Sequence, residues 1–345
     1  MAILERARSL GSGGQAVHLN DDICSYLVAV IVNDLGLSEK FPEFQQKPRP
    51  FFGPPPLQDL LIKGVNFLTV YERLLQLNND SDTYFVCLAA LHKGRLKYDV
   101  ILKTQSISTI EQVGPRGILQ YGSMTPKALT GFLFWRKWFY DIDNRAAQET
   151  GYIFEPIIAN AIGGTPAPAR KSPVKRRADG NRGRQVDCLK GKRAYELKLR
   201  VTIAASGQGR WREELDFPED CLASGFMPVL VVLDSTPNDK LAQLERVFKA
   251  SGGEVYIGKN AWLHLESAAG PTMSRFIEKY VREPLQELLT AAPDTLPNLS
   301  AVMGADSITI TVDRESITIP RISTVNVDEV EDDMPDDATD QLPDT

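Results

Sequence analysis

The run Met227–Asp234 (MPVLVVLD) limits the fold of this chain more than any other stretch. It is almost continuously apolar and lacks the alternation of a strand with one face in water, so it suits a strand buried on both faces. Helical spacing follows near 239–250, and a second short strand is expected at 254–257 (EVYI). A strand, a crossover helix and a strand imply a parallel pair with a right-handed connection. Helices near 260–267 and 272–290 complete this part of the chain.

Two further short strands precede the buried one, at 184–189 and 194–200, separated by Lys190-Gly191-Lys192-Arg193. A tight turn at Gly191-Lys192 makes them an antiparallel hairpin, so the sheet is mixed. Before the hairpin come a helix containing Glu155 and a Gly-, Pro- and Arg-rich loop at 163–182; after it come a polar loop (Ser206–Arg210) and a short helix around 211–222. The expected fold class is α/β, a mixed sheet flanked by helices, from about residue 143 onward.

The preceding part reads as a mainly helical subdomain, residues 1–142. Asn20 or Asp21 can cap a helix over 24–35, a helical stretch follows at 57–77, and 83–108 fits either a helix or a pair of strands. Thr125-Pro126 is a helix start, a cap followed by proline at the first position. It leads into Phe132, Phe134, Trp135, Trp138 and Phe139, whose helical spacing favours core packing over a base-stacking platform. At the other end, 307–319 (SITITVDRESITI) alternates around Asp313-Arg314 as a β-hairpin within an appended segment, 293–322. The rest, 323–345, is acidic and poor in apolar residues, as in disordered tails. The α/β domain therefore spans 143–292.

Charge and composition narrow the function. The net charge is −6, but 323–345 alone holds nine acids and no base, so the remainder is positive by three. Within 170–212 fourteen Lys or Arg stand against three acids, which points to a polyanionic partner. Cys24, Cys87, Cys188 and Cys221 form no CxxC pair, and His18, His92 and His264 show no metal-ligand spacing, which argues against structural zinc. No apolar run reaches the roughly 18–20 residues of a membrane span, and the N-terminus has no signal-peptide character, so a cytoplasmic protein with no membrane partner is expected.

The hairpin carries the chemistry. Closing it at Gly191-Lys192 sets Asp187 directly across from Glu196, and the alternation of side chains puts Lys198 on the face of Glu196. Val186, Cys188, Tyr195, Leu197 and Leu199 take the other face, suited to a core. Opposed carboxylates with Cβ atoms about 4.5–5.5 Å apart repel one another. A cation between them removes the conflict, and hard ions such as Mg²⁺ are commonly held by one or two carboxylates plus substrate phosphates. Lys198 can offset part of the repulsion and reach a water near the metal; acting as a base would require its pKa to be lowered. The alternative is a solvated outer face on which Lys198 simply pairs with Glu196. The position of the hairpin between a basic loop and a buried strand favours the site.

Asp187, eight residues, then Glu196-Leu197-Lys198 resembles the signature of the PD-(D/E)XK nucleases, and the order of elements over about 143–260 resembles their common core. Val186 stands where that signature has proline. The resemblance implies a restriction-endonuclease-like fold in which Asp187 and Glu196 hold Mg²⁺ and Lys198 positions or activates the attacking water. It also implies hydrolysis of a DNA phosphodiester to a 5′-phosphate and a 3′-hydroxyl. Glu155, in Gly151-Tyr152-Ile153-Phe154-Glu155, resembles the helix glutamate that many members aim at the metal. Pro156 requires the helix to start or kink there, and an acid at a helix start interacting with the dipole is the other reading.

With a helical N-terminal part, one nuclease core and no GxxxxGK[ST] motif, the chain most resembles a type II restriction endonuclease. Such enzymes cut double-stranded DNA at a specific sequence, commonly as a homodimer, beside a companion DNA methyltransferase. Arg184 and Arg200 are candidates for the DNA backbone, and Gln208 and Arg210 for phosphate or base edges. A repair, recombination or mobile-element nuclease, or a non-catalytic DNA-binding protein, would share the core.

Overall fold

The computed structural model describes residues 19–53, 56–180, 182–199, 208–292 and 294–322. The expected acidic tail, His18, Arg200 and Ser206 lie outside them. The chain forms two compact units. One comprises the residues up to Lys93 together with Gly151–Glu287, and the other comprises Gly94–Thr150 with the segment from Leu288. The expected boundary at 142/143 falls inside one helix, Pro126–Ala161.

The first unit begins with α1 (Asp21–Asp34), capped by Asn20, whose Oδ1 accepts the Ile23 amide at 2.9 Å. Cys24 through Val32 are all buried, so this helix is enclosed on every side. Its last residue, Asp34, is a buried acid that accepts the hydroxyls of Tyr84 (2.9 Å) and Tyr280 (2.5 Å) and pairs with Lys279. α2 is Phe67–Leu77. The expected helix over 57–77 forms only in this second half, because Asn66 caps it by accepting the Thr69 amide; Leu57–Asp59 is a single tight turn. The ambiguous stretch resolves as a helix, α3 (Ser81–Thr104).

In the second unit α3 continues into α4 (Ile110–Tyr121) and then α5 (Pro126–Ala161), which starts at the expected proline. Trp138 is buried with Ile308 and Ile319, and Trp135 and Phe139 pack beside it, so the aromatic cluster is core. Ile308 and Ile319 come from a three-stranded antiparallel sheet, β6 (Leu299–Met303), β7 (Ser307–Val312) and β8 (Glu315–Pro320). The expected hairpin is β7–β8; β6 was not anticipated.

α5 does not stop at Pro156 but runs on to Ala161. From there the first unit resumes with a five-stranded sheet in the order of the chain: β1 (Thr165–Ala167), β2 (Val186–Lys190), β3 (Arg193–Lys198), β4 (Met227–Val232) and β5 (Glu254–Ile257). β1, β2 and β3 are antiparallel neighbours, and β3–β4 and β4–β5 are parallel, which gives the expected mixed sheet. Helix α6 (Gln208–Ala223) leads into β4, and α7 (Asp239–Ala250) joins β4 to β5. α8 (Lys259–Ile277) breaks at Gly270, whose φ of +73° is open to glycine, just before Pro271. It passes through one π-helical turn into α9 (Glu283–Ala291).

Val229 to Val232 of β4 are at most 1% exposed, as a strand covered on both faces requires. On one face Leu230 and Val232 pack with Phe217 and Cys221 of α6 and Leu244 and Phe248 of α7. On the other, the Tyr195 hydroxyl meets His264 of α8 at 3.3 Å. No helix among the described residues is long and apolar enough to cross a membrane.

Candidate active site

The β2–β3 hairpin turns at Gly191 with φ +59°, the left-handed conformation that a two-residue turn matched to strand twist needs. That turn fixes the pairing: Lys190 faces Arg193, Leu189 faces Ala194 and Cys188 faces Tyr195. The pairing ends at Cys188–Tyr195, and just beyond it Asp187 and Glu196 come near enough for their carboxyls to interact. There the Asp187 side chain takes a main-chain partner, its Oδ2 accepting the Leu197 amide at 2.8 Å. Glu196 and Lys198 also lie beside Leu230 and Val232 across the β3–β4 pair. The polar cluster is thus the open end of a sheet face whose inner part is packed beneath α6 and α7.

Burial, and then the negative charges of Glu196 and Glu155, hold the Asp187 carboxyl well above the usual range; the Leu197 amide and Lys198 oppose this without prevailing. Glu155, on α5, therefore stands close enough to act on Asp187 although Pro156 lies within the helix. Lys198 Nζ is 3.0 Å from Glu196 Oε1 and 3.5 Å from Glu214 Oε1. Burial alone would lower the lysine pKa, but Glu196, Glu214 and Asp187 outweigh it and hold the ammonium above its ordinary value. Lys198 in this state is a firmly charged donor, in contrast to the lowered pKa a basic role would require.

This donor set suits a hard divalent ion. The candidate ligands are carboxylate oxygens whose mutual repulsion adds to burial in raising the Asp187 pKa, a conflict that a cation would relieve. Among the described residues no group of three or more His, Cys, Asp and Glu is placed to hold a metal ion. Two carboxylates are a donor pair of the kind that holds a hard divalent ion, whereas structural zinc takes four Cys or His ligands.

A family model described as ApaLI-like restriction endonuclease matches residues 61–282. The chain belongs to that family. Glu155, Asp187, Glu196, Lys198 and all of α6 fall inside the matched span, while β6–β8 lie beyond it. The ApaLI-like family includes a curated relative named "Type II restriction enzyme ApaLI", from Acetobacter pasteurianus, which is 55% identical to this chain over 215 residues. The alignment covers 61% of this chain and 57% of the relative, so the chain spans little more than half of that protein. No solved structure matches.

The expected DNA-contacting residues fare differently. Arg184 is buried, its Nε 2.6 Å from Asp220 Oδ2 and its NH1 donating to the Glu213 carbonyl at 2.9 Å. The guanidinium expected at the DNA backbone is thus engaged within the protein. Gln208 and Arg210 begin α6 in place of the expected polar loop, and Arg200 lies outside the described residues. Arg176 pairs with Glu213 at 3.1 Å, and Arg177 pairs with Glu219 and with Asp220. The basic loop is thus stapled to α6, whereas Arg170, Lys171 and Lys175 remain exposed.

Glu214 was missed. Its position on the helix that follows the lysine strand was the available signal, but local reading gave no reason to turn it toward Lys198. A cleft of about 800 Å³ also opens at the hairpin-turn end of the sheet, lined by Lys190, Arg193, Tyr256 and His264 among others. Arg193 there pairs with Glu254 at 3.0 Å and Lys190 donates to the Ala268 carbonyl at 2.8 Å, so its cations are engaged.

Proposed function

We propose that this chain is a Mg²⁺-dependent type II restriction endonuclease that hydrolyses double-stranded DNA at a specific sequence and leaves 5′-phosphate ends. The observation that carries the reading is the juxtaposition of Asp187, Glu196 and Lys198 at the open end of the β2–β3 pair, in a chain of the ApaLI-like family. The name of the Acetobacter relative supports the sequence-specific form of the reaction.

Asp187 and Glu196 would hold the divalent ion, with Glu155 as a third acid beside them. The ion would supply stabilisation of developing phosphoryl charge and a lowered pKa for the attacking water. Burial and the neighbouring acids raise the pKa of the Asp187 carboxyl, so protons compete with a cation there and metal affinity should fall as pH drops. Lys198, held as an ammonium, would donate to a phosphate oxygen and orient the water. Exposed Arg170, Lys171 and Lys175 would neutralise the backbone without reading sequence. A homodimer acting on both strands and a companion DNA methyltransferase complete the proposed system.

Digestion of plasmid and phage DNA by the purified protein with Mg²⁺ tests this directly. Discrete fragments that vanish with EDTA and in Lys198→Ala are expected, with the variant slower by about 100-fold or more. Smeared products would refute sequence specificity. The absence of any cleavage with intact DNA binding would refute the nuclease assignment.

A further inference from the structure

Lys198 has two anionic neighbours, and only one belongs to the hairpin. Its Nζ lies 3.0 Å from Glu196 on the same strand and 3.5 Å from Glu214 on α6. All three side chains are mostly screened from water, with 17%, 17% and 22% exposure for Lys198, Glu196 and Glu214. A lysine carries a point charge on a four-carbon stem, so one ion pair leaves the ammonium free to swing. Two anions on separate elements confine it to one place.

The helix that brings Glu214 is itself anchored. Glu213 pairs with Arg176 and gives its carbonyl to Arg184, and Asp220 holds Arg184 in a nearly water-free pair. Successive residues of a helix point about 100° apart. With Glu213 committed to the basic loop, Glu214 is turned to the end of the sheet where Lys198 emerges.

We propose that Glu214 is a positioning residue that holds the Lys198 ammonium at the cleavage site. The inference rests on the nuclease reading in one respect, that Lys198 serves the reaction. In that reaction Glu196 must turn its oxygens toward a cation, which weakens its hold on Lys198. Glu214 remains as the partner that keeps the ammonium aimed at the scissile phosphate.

The test uses the full chain with Glu214→Gln and Glu214→Asp. Single-turnover cleavage and DNA affinity are measured with Mg²⁺ or, for binding, with EDTA. The accessibility of Lys198 is read separately in metal-free protein by acetic anhydride labelling and peptide mass spectrometry. Glu214→Gln is expected to slow single-turnover cleavage by about 10- to 100-fold with DNA affinity changed by no more than about 2-fold. Labelling of Lys198 should rise several-fold, and Glu214→Asp should recover part of both effects. Cleavage by Glu214→Gln at the unaltered rate would overturn the proposal while leaving the nuclease reading intact. So would a loss of activity that tracks a loss of urea stability and is not recovered by Asp. If the unaltered chain cuts no DNA, the nuclease reading fails; the labelling still decides the placement, supported by a rise in Glu214→Gln and overturned by no change.

Discussion

Replacing either member of the Arg184–Asp220 pair separates a structural arginine from a DNA-contacting one. The pair is nearly dry, with side chains 9% and 2% exposed, and its two members are not equally replaceable. Asp220 also accepts the Arg177 amide at 2.9 Å and lies 3.5 Å from the Arg177 guanidinium, so it keeps partners when Arg184 is gone. Among the described residues Arg184 has no second carboxylate in its hydrogen bonds and falls back on the Glu213 carbonyl. Asp220→Ala therefore strands a buried guanidinium and should cost about 3–5 kcal/mol. Arg184→Met retains an apolar stem against Phe217 and should cost only about 1–3 kcal/mol, the scale of a lost charged hydrogen bond. The double variant should fall well short of the sum, with a coupling of about 0.5–3 kcal/mol, because no guanidinium is left unpaired.

Urea denaturation followed by circular dichroism and by tryptophan fluorescence, with Trp211 on α6 as a nearby reporter, measures these costs. DNA affinity for Arg184→Met, taken over a range of salt, supplies the other half. A phosphate contact contributes about 0.9 to the slope of log K against log salt. The buried placement predicts no such change in slope. A variant that melts like the unaltered protein but loses about 0.9 from the slope would refute the argument and return Arg184 to the DNA surface.

Three further perturbations follow from other parts of the chain. Asp187→Asn should abolish cleavage and stabilise the metal-free protein. Because the folded carboxyl titrates above its ordinary range, the native chain holds more protons than the unfolded one in that window, so stability falls as pH rises through it, by about 1.4 kcal/mol for each unit of separation. Thermal melts in EDTA should show the two proteins diverging toward alkaline pH, and parallel curves would exclude this strain. Trp138→Ala should cost about 3–5 kcal/mol by emptying the core shared with Ile308 and Ile319; a melting curve close to that of the unaltered protein would show that this core is organised otherwise. Gly164→Ala should cost about 1–3 kcal/mol, since its Cβ would sit 2.2 Å from Cys188 Sγ and 3.0 Å from the Leu189 carbonyl; adding Cys188→Ala should recover much of this in urea denaturation.

The hairpin register was legible because two short-range rules fix it. Gly191 permits the turn, and a period of two then assigns every side chain to a face. The buried strand Met227–Val232 was legible from continuous apolarity. Elements whose limits depend on one competing bond were less so. Asn66 starts α2 ten residues later than hydrophobic spacing alone suggests, and Pro156 is accommodated within α5, where local rules call for a start or a kink. β6 has no turn signal of its own strength and gains its place only by pairing with β7.

The electrostatics of the site were the least legible part, because charge counted along the sequence is not charge in space. The window 170–212 is strongly basic, yet Glu213, Glu219 and Asp220 lie just beyond it and fold back onto Arg176, Arg177 and Arg184. Much of that basic character serves to anchor α6. At the end of the sheet the balance has the opposite sign: Glu196 and Glu155 act on Asp187, and Glu196, Glu214 and Asp187 act on the Lys198 ammonium. A polyanion approaching this cluster meets repulsion that one lysine cannot cancel. On the proposed function, exposed cations such as Arg170, Lys171 and Lys175 draw DNA to the surface, but bringing a phosphate onto Asp187 and Glu196 requires a divalent cation between them. On that reading the acids would make metal a condition for engaging the scissile phosphate as well as for cutting it, so DNA bound without metal should remain short of the site.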